Sequence, residues 1–296
     1  MATQSLKQAP LVVIVGPTAS GKTGLSVRLA KQCNGEIISA DSRAIYKGMD
    51  IGTAKPSVEE RDGVAHWGID LVEPGEAFSV ADFQQYACKK VDEIRSRGRV
   101  PFLVGGTGLY IDAVIFEYQF GSTADPSRRH SLMEKDIRYL HEYCIKNNIT
   151  LPENKFNKRY VVRAIEQKGI NTIRRGEPID NCIVVGISTE RNVLRTRIEN
   201  RSEQLFINGV VEEAKMLGEK YGWNSEAMTG NIYPLVRKYM DGVINESELK
   251  QKFITADWRL AKRQLTWLRR NPFIVWRSLD EAEFYLSQKL ADWINS

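Results

Sequence analysis

Apolar runs bounded by turn residues recur at Val12–Val15, Glu36–Ser39, Pro101–Val104 and Ile183–Ile187. Each is too short for a stable helix, and the first follows Leu11 as an unbroken β-branched stretch, so each reads as a buried strand. Leu25–Cys33 and Val80–Arg97 lie between the early runs and carry the apolar spacing of helices. Strands alternating with helices predict a parallel sheet with helices on both faces. In such sheets ligands collect beyond the carboxyl ends of the strands. Three polar or glycine-rich segments fall there: the loop after Val15, Asp41-Ser42, and Gly105-Gly106-Thr107-Gly108.

The pattern changes after Ile115. Phe116–Asp125 has the composition of a linker, with Gly121 and Ser122. Pro126–Lys146 and Asn157–Lys168 follow as charged amphipathic helices with no strand between them, until Ile183–Ile187 returns to sheet character. The chain therefore divides into a core of residues 1–116 plus 181–296 and a helical insertion over 117–180. In the C-terminal third, Asn245 with Glu248 three residues later has the form of a capping box. The helix it opens carries an apolar stripe of Leu249, Phe253, Ala256, Leu260, Leu265 and Leu268. By the same periodicity Arg259, Lys262, Arg263, Arg269 and Arg270 share another face.

Composition narrows the class. Of 296 residues, 42% are hydrophobic and 27% charged, as in ordinary water-soluble domains. No run approaches the roughly 18 apolar residues of a membrane span, and the polar Met1–Pro10 has no leader pattern. Four separated cysteines (Cys33, Cys88, Cys144, Cys182) and three histidines offer neither a CxxC pair nor a disulfide framework. That fits a reducing, cytoplasmic setting, and the chain is read as a monomer. The net charge of +5 is unevenly spread: residues 125–180 hold 12 Lys/Arg against 8 acids, and residues 257–277 hold 6 against 1. The rest is net acidic, so the basic segments suggest a polyanionic partner such as nucleic acid.

The chemistry begins at Gly16-Pro17-Thr18-Ala19-Ser20-Gly21-Lys22-Thr23, a full match to GxxxxGK[ST] between a strand and a helix. There, backbone N–H groups and a helix N-terminus surround a di- or triphosphate-like group. Lys22 adds a point charge and the Thr23 hydroxyl can hold Mg²⁺. The fold expected is a P-loop NTPase-like α/β core. Asp41 is placed to deprotonate an acceptor, although spacing leaves open that it, or Ser42, caps a following helix. Pattern alone reaches a P-loop transferase or phosphotransferase with no named substrate.

The motifs taken together resemble the tRNA dimethylallyltransferase family, in its bacterial form. They are Gly16–Thr23, Asp-Ser-Arg-Ala-Ile-Tyr-Lys-Gly-Met-Asp-Ile-Gly-Thr-Ala-Lys-Pro (41–56), Ser-Val-Ala-Asp-Phe (79–83), Val-Gly-Gly-Thr-Gly-Leu-Tyr (104–110), Val-Arg-Ala-Ile-Glu (162–166) and Arg-Leu-Ala-Lys-Arg-Gln-Leu-Thr-Trp-Leu-Arg (259–269). The resemblance implies transfer of a dimethylallyl group from dimethylallyl pyrophosphate to the exocyclic amine of the adenosine at tRNA position 37. The P-loop would then hold the pyrophosphate leaving group, with Mg²⁺ on Thr23. It further implies that Asp41 takes the amine proton, that Thr107 lies near the reacting centre and that Arg201 contacts pyrophosphate. The anticodon stem-loop would be met by Asp41, Ser42, Arg43 and Ala44, by Lys158, Arg159 and Arg163 in the insertion, and by Lys262 and Arg263. The zinc finger of eukaryotic members is not expected, since no Cys or His follows Arg270.

The sequence departs from the family pattern on the acceptor side. His66-Trp67 stands for a histidine pair, Ile232-Tyr233 for Gly-Tyr, and Tyr160 for a common arginine. The nearest rival is an adenylate dimethylallyltransferase acting on free nucleotide, against which the basic insertion argues. A small-metabolite kinase and a non-catalytic RNA-binding protein are disfavoured by the Gly-Gly-Thr-Gly-Leu-Tyr loop and by intact Lys22, Thr23 and Asp41.

Overall fold

Leu11–Val15 (β1) is buried at every position because it has a strand on each side. It pairs in parallel with Val100–Gly105 (β4), Ile14 opposite Val104, and with Cys182–Ile187 (β5), Ile14 opposite Val185. Gly35–Ala40 (β2) flanks β4, and the short strands His66–Trp67 (β3) and Val275–Arg277 (β6) close the two edges. The sheet order is β3-β2-β4-β1-β5-β6, with every pairing parallel. The computed structural model describes residues 8–121, 125–168 and 173–295. Among them the expected parallel sheet is present, and the four expected strands each lie within a residue of their runs. The two edge strands were not expected, being too short to show a period.

Helices cover the sheet. Lys22–Gln32 (α1) and Leu279–Ile294 (α12) bury Leu25, Leu29, Leu286 and Leu290 against Ile14, Phe102 and Val185. Val80–Ser96 (α3) starts at a Ser79/Asp82 capping box and buries Phe83, Ala87, Val91 and Ile94 at helical spacing. Gly108–Ile115 (α4) follows β4, and its Tyr110 ring stacks on Phe83 at 4.1 Å between centroids. A second core joins Ile45, Tyr46 and Met49 to Arg191–Ile207 (α8), Val210–Tyr221 (α9), Tyr233–Met240 (α10) and Glu246–Leu268 (α11). The Asn245/Glu248 capping box is formed at the start of α11. Its buried face differs from the expected stripe. Leu249, Phe253, Asp257, Ala261 and Leu268 are buried, while Ala256, Leu260 and Leu265 are half-buried. A carboxylate thus occupies a core position, which apolar periodicity cannot reveal.

Two compact units emerge, Met1–Ile111 with Asp180–Ser296, and Asp112–Ile179. The second is helical. The continuous helix expected over Pro126–Lys146 is instead Pro126–Glu134 (α5) and Ile137–Lys146 (α6). The break occurs because the Asp136 carboxylate accepts the Tyr139 N–H at 2.9 Å, starting a new helix. Leu140 and Cys144 of α6 pack on Val161, Val162 and Ile165 of Lys158–Gln167 (α7). The only other helix among the described residues is Val58–Arg61 (α2), apart from a 3₁₀ turn at Ala227–Thr229.

Candidate active site

A cavity of about 690 Å³ opens beyond the carboxyl ends of β1, β2 and β4, where the three sequence segments were expected to converge. Its floor is the loop between β1 and α1. Gly21 holds a left-handed φ of 88° at the N-cap and offers no side-chain cap, so the first N–H groups of α1 stay free for a ligand. Gly16 backs this loop closely: a Cβ there would come within 2.7 Å of Ser20 Oγ. Thr18, Ala19, Ser20, Gly21, Lys22 and Thr23 line the wall. Gly16 and Pro17 do not line it, and the Pro17 carbonyl accepts a hydrogen bond from Lys22 Nζ at 3.1 Å. Burial lowers the Lys22 pKa to about 8, with Asp41 acting to raise it and Arg201 to lower it further.

Asp41, Ser42, Arg43 and Ala44 form the facing wall, in the turn after β2. Asp41 Oδ1 accepts the Arg43 N–H at 2.8 Å, a local turn, and the next helix begins only at Val58. The helix-cap alternative for Asp41 and Ser42 is therefore overturned. Thr107 Oγ1 accepts the Ser42 N–H at 3.1 Å, while Thr107 N–H donates to the Ala40 carbonyl at 3.2 Å. Those two bonds tie the glycine-rich loop to the turn that carries Asp41. Gly105 has no room for a side chain, since a Cβ would strike the Ala40 carbonyl, and at Gly108 it would strike the Trp267 ring. Arg43 reaches outward, donating to the Glu226 carbonyl at 3.0 Å and to Thr229 Oγ1 at 3.1 Å.

Arg201 enters from α8 and donates to Thr18 Oγ1 and, at 3.4 Å, to the Thr53 carbonyl. It lies 3.8 Å from the buried Asp257, whose other oxygen accepts from Asn231 Nδ2 at 2.9 Å. Arg197 Nη1 donates to the Ser20 carbonyl at 3.2 Å. Two cationic side chains from one helix thus brace the loop between β1 and α1. From α11, Gln264 Oε1 accepts the Thr18 N–H at 2.8 Å, and Leu260 and Arg263 line the cavity. Lys262 does not line it; its ammonium sits 5.4 Å from the Trp258 ring centroid. Lys158, Arg159 and Arg163 belong to α7 in the other unit, where Arg163 meets Glu166 at 3.5 Å.

Several residues that shape the site carry no motif of their own. The stretch Asp50–Pro56 is held by two buried ionic anchors. Glu213 accepts the N–H groups of Asp50, Ile51 and Gly52 at 2.8, 2.6 and 2.8 Å, and the Tyr233 hydroxyl at 3.0 Å. Lys55 Nζ, nearly inaccessible, meets Asp50 at 2.5 Å, Asp70 at 2.6 Å and the Tyr46 carbonyl at 2.9 Å. Gly52–Pro56 line the cavity, so these anchors set its shape. Asp257, Gln264 and Glu213 were not singled out by sequence, and of these only Gln264 sits inside a recognised motif.

The donor set suits a hard divalent cation held mainly by its ligand. Thr23 presents a hydroxyl at the start of α1, and no group of three His, Cys, Asp or Glu side chains among the described residues could form a protein cage. Mg²⁺ bound through one protein oxygen, phosphate oxygens and water matches that arrangement.

A model of the family described as IPP transferase matches residues 44–271. Among curated relatives, a tRNA dimethylallyltransferase of Halalkalibacterium halodurans is 40% identical, with 93% of this chain and 92% of the relative aligned. The Bacillus subtilis tRNA dimethylallyltransferase is 38% identical, covering 90% of each. The crystal structure of a tRNA isopentenylpyrophosphate transferase from Bacillus halodurans superposes with a TM-score of 0.74 at 39% identity, over 97% of this chain and 99% of that one. A eukaryotic dimethylallyltransferase acting on tRNA shares the fold, with a TM-score of 0.74 at 20% identity, over 88% of this chain and 70% of that one.

Proposed function

The chain belongs to the IPP transferase family, and we propose that it transfers a dimethylallyl group from dimethylallyl pyrophosphate to the exocyclic amine of the adenosine at tRNA position 37. The observation that carries this reading is a single cavity joining a phosphate loop to the Asp41–Thr107 wall. A phosphoryl-transfer enzyme would use the same loop, but the family relationship supports a pyrophosphate that leaves and donates no phosphoryl group.

In the reaction the allylic C–O bond breaks and its electron pair departs on pyrophosphate. The amine nitrogen forms the new C–N bond and loses one proton. Negative charge therefore grows on the leaving group, where Lys22, Arg201 and the free N–H groups of α1 can stabilise it. With a pKa near 8, Lys22 is cationic at neutral pH. Mg²⁺, held by the Thr23 hydroxyl, would add charge stabilisation on the same oxygens. Asp41 accepts the amine proton, and its charge acts on Lys22 across the same cavity. Thr107 holds the Asp41 turn in place through the Ser42 N–H. The acceptor base leaves its stack to enter the cavity, at a cost of about a few kcal/mol.

On this reading Ser42, Arg43, Ala44 and Arg263 contact the acceptor, while Lys262 and the α7 residues Lys158, Arg159 and Arg163 hold RNA backbone. Among the described residues no helix is long and apolar enough to cross a membrane. Incubation with radiolabelled dimethylallyl pyrophosphate, Mg²⁺ and either an anticodon stem-loop or AMP tests the assignment. Label is expected in the stem-loop and lost with excess EDTA. Label in AMP alone would replace the reading with an adenylate transferase.

A further inference from the structure

Phe156 is 82% exposed and Tyr160 is 46% exposed, at the entrance to α7. Phe156 precedes the Asn157 cap, and Tyr160 lies in the first helical turn. An apolar side chain before a cap commonly packs on the fifth residue beyond it, here Val161, to fix the chain's entry. Val161 is fully buried with Leu140 and Cys144, but Phe156 is not among the side chains packed on that cluster. Its ring instead sits 6.4 Å from the His141 ring, beside Lys155, whose ammonium is 5.5 Å away. Folding of the insertion leaves this phenyl group almost entirely in water.

The surroundings of the two rings are cationic. Lys155, Lys158 and Arg159 are interleaved with Phe156 and Tyr160 in sequence, and Lys155 and Arg159 are exposed. The charges of Lys158 and Arg138 both act on Asp136, so the starts of α6 and α7 lie within electrostatic range of each other. Tyr139, 47% exposed on α6, has the Lys135 ammonium 5.6 Å from its ring. Exposed aromatic faces set among lysines and arginines match an unpaired nucleotide strand, whose bases stack while its phosphates pair with the cations. A protein partner would favour a dry apolar centre depleted of lysine.

We infer that Phe156 and Tyr160 form a base-stacking platform for unpaired nucleotides of the RNA acceptor, an assignment that rests on the tRNA reading above. Stacking and phosphate pairing separate experimentally, because only the latter releases counterions. The test is titration of a fluorescein-labelled anticodon stem-loop by anisotropy at several salt concentrations. The proteins are the wild type, Phe156→Ala, Tyr160→Ala, the double variant, Phe156→Trp and Lys158→Gln.

Each alanine variant is expected to bind about 5- to 150-fold more weakly, the range for losing one stacked base. Its salt dependence should match the wild type, and Phe156→Trp should restore affinity. Lys158→Gln is expected to lower the salt slope by roughly 0.7–0.9. Because the rings are exposed, thermal midpoints should stay unchanged, which separates lost stacking from lost folding. If the wild type binds and prenylates the stem-loop and the double variant binds equally well, stacking is overturned while the functional reading stands. If the wild type does not bind the stem-loop, both are overturned.

Discussion

Replacing Glu213 by Gln tests whether the loop that shapes the cavity depends on one buried carboxylate. Glu213 is 8% exposed, and its two oxygens share four donors. One oxygen accepts from Asp50 and Ile51, the other from Gly52 and the Tyr233 hydroxyl. Glutamine preserves the shape but keeps one acceptor oxygen. In either amide orientation an NH₂ group must face two donors, at least one of them a backbone N–H with no alternative partner. Each orphaned buried donor costs about 1–3 kcal/mol, and in the less costly orientation, with the NH₂ facing Gly52 N–H and a Tyr233 hydroxyl that can turn to accept, the variant should lose roughly 1–3 kcal/mol. For a unit of this size, 1 kcal/mol corresponds to about 2–4 °C in Tm, giving a fall of roughly 2–12 °C. Tyr233→Phe removes only one of the four donors and should cost about 1 kcal/mol. The assay is urea unfolding followed by tryptophan fluorescence, alongside a thermal melt. Because Thr53 of the same stretch accepts from Arg201, donor affinity should weaken in Glu213→Gln at temperatures where it is folded. A variant within 1 kcal/mol of wild type would show that water or a rearranged loop satisfies these donors, and the anchor argument would fail.

Other outcomes follow from the site. Asp41→Ala should cut kcat by roughly 10²–10⁴-fold while the anticodon stem-loop Kd changes far less; normal single-turnover rates would remove Asp41 from the chemistry. Lys22→Ala should lower kcat by at least about 10²-fold, the scale of one lost transition-state donor. In the wild type, donor affinity should decline as pH rises through about 8, where the free enzyme's Lys22 loses its charge, by up to about tenfold per unit; calorimetry giving a flat profile between pH 7 and 9.5 would refute it. Lys262→Glu with Arg263→Glu should weaken stem-loop binding and flatten its salt dependence by somewhat under one unit per phosphate contact, about 0.7–0.9, with an unchanged slope counting against this face.

The division between what was legible early and what was not follows the range of the interactions. Walker-type spacing, β-branched runs and capping boxes are written into neighbouring residues, because strand period, loop glycines and N-caps are satisfied within a few positions. The parallel sheet and the meeting of the glycine-rich loop after β1 with Asp41 and Thr107 at one cavity could therefore be read from the chain alone. Apolar periodicity misjudged α11 because Asp257 sits on its buried face, held by Asn231 and Arg201 from other elements. Pro126–Lys146 looked continuous because a mid-pattern aspartate reveals itself as a cap only once its carboxylate meets a backbone N–H. The Asp50–Pro56 run was legible as a family signature, yet its physical role rests on Glu213, more than 160 residues away for the Asp50, Ile51 and Gly52 contacts. Gln264 closes on Thr18 across 246 positions. Buried polar groups must find partners wherever the fold supplies them, and only tertiary structure decides which distant side chain that is.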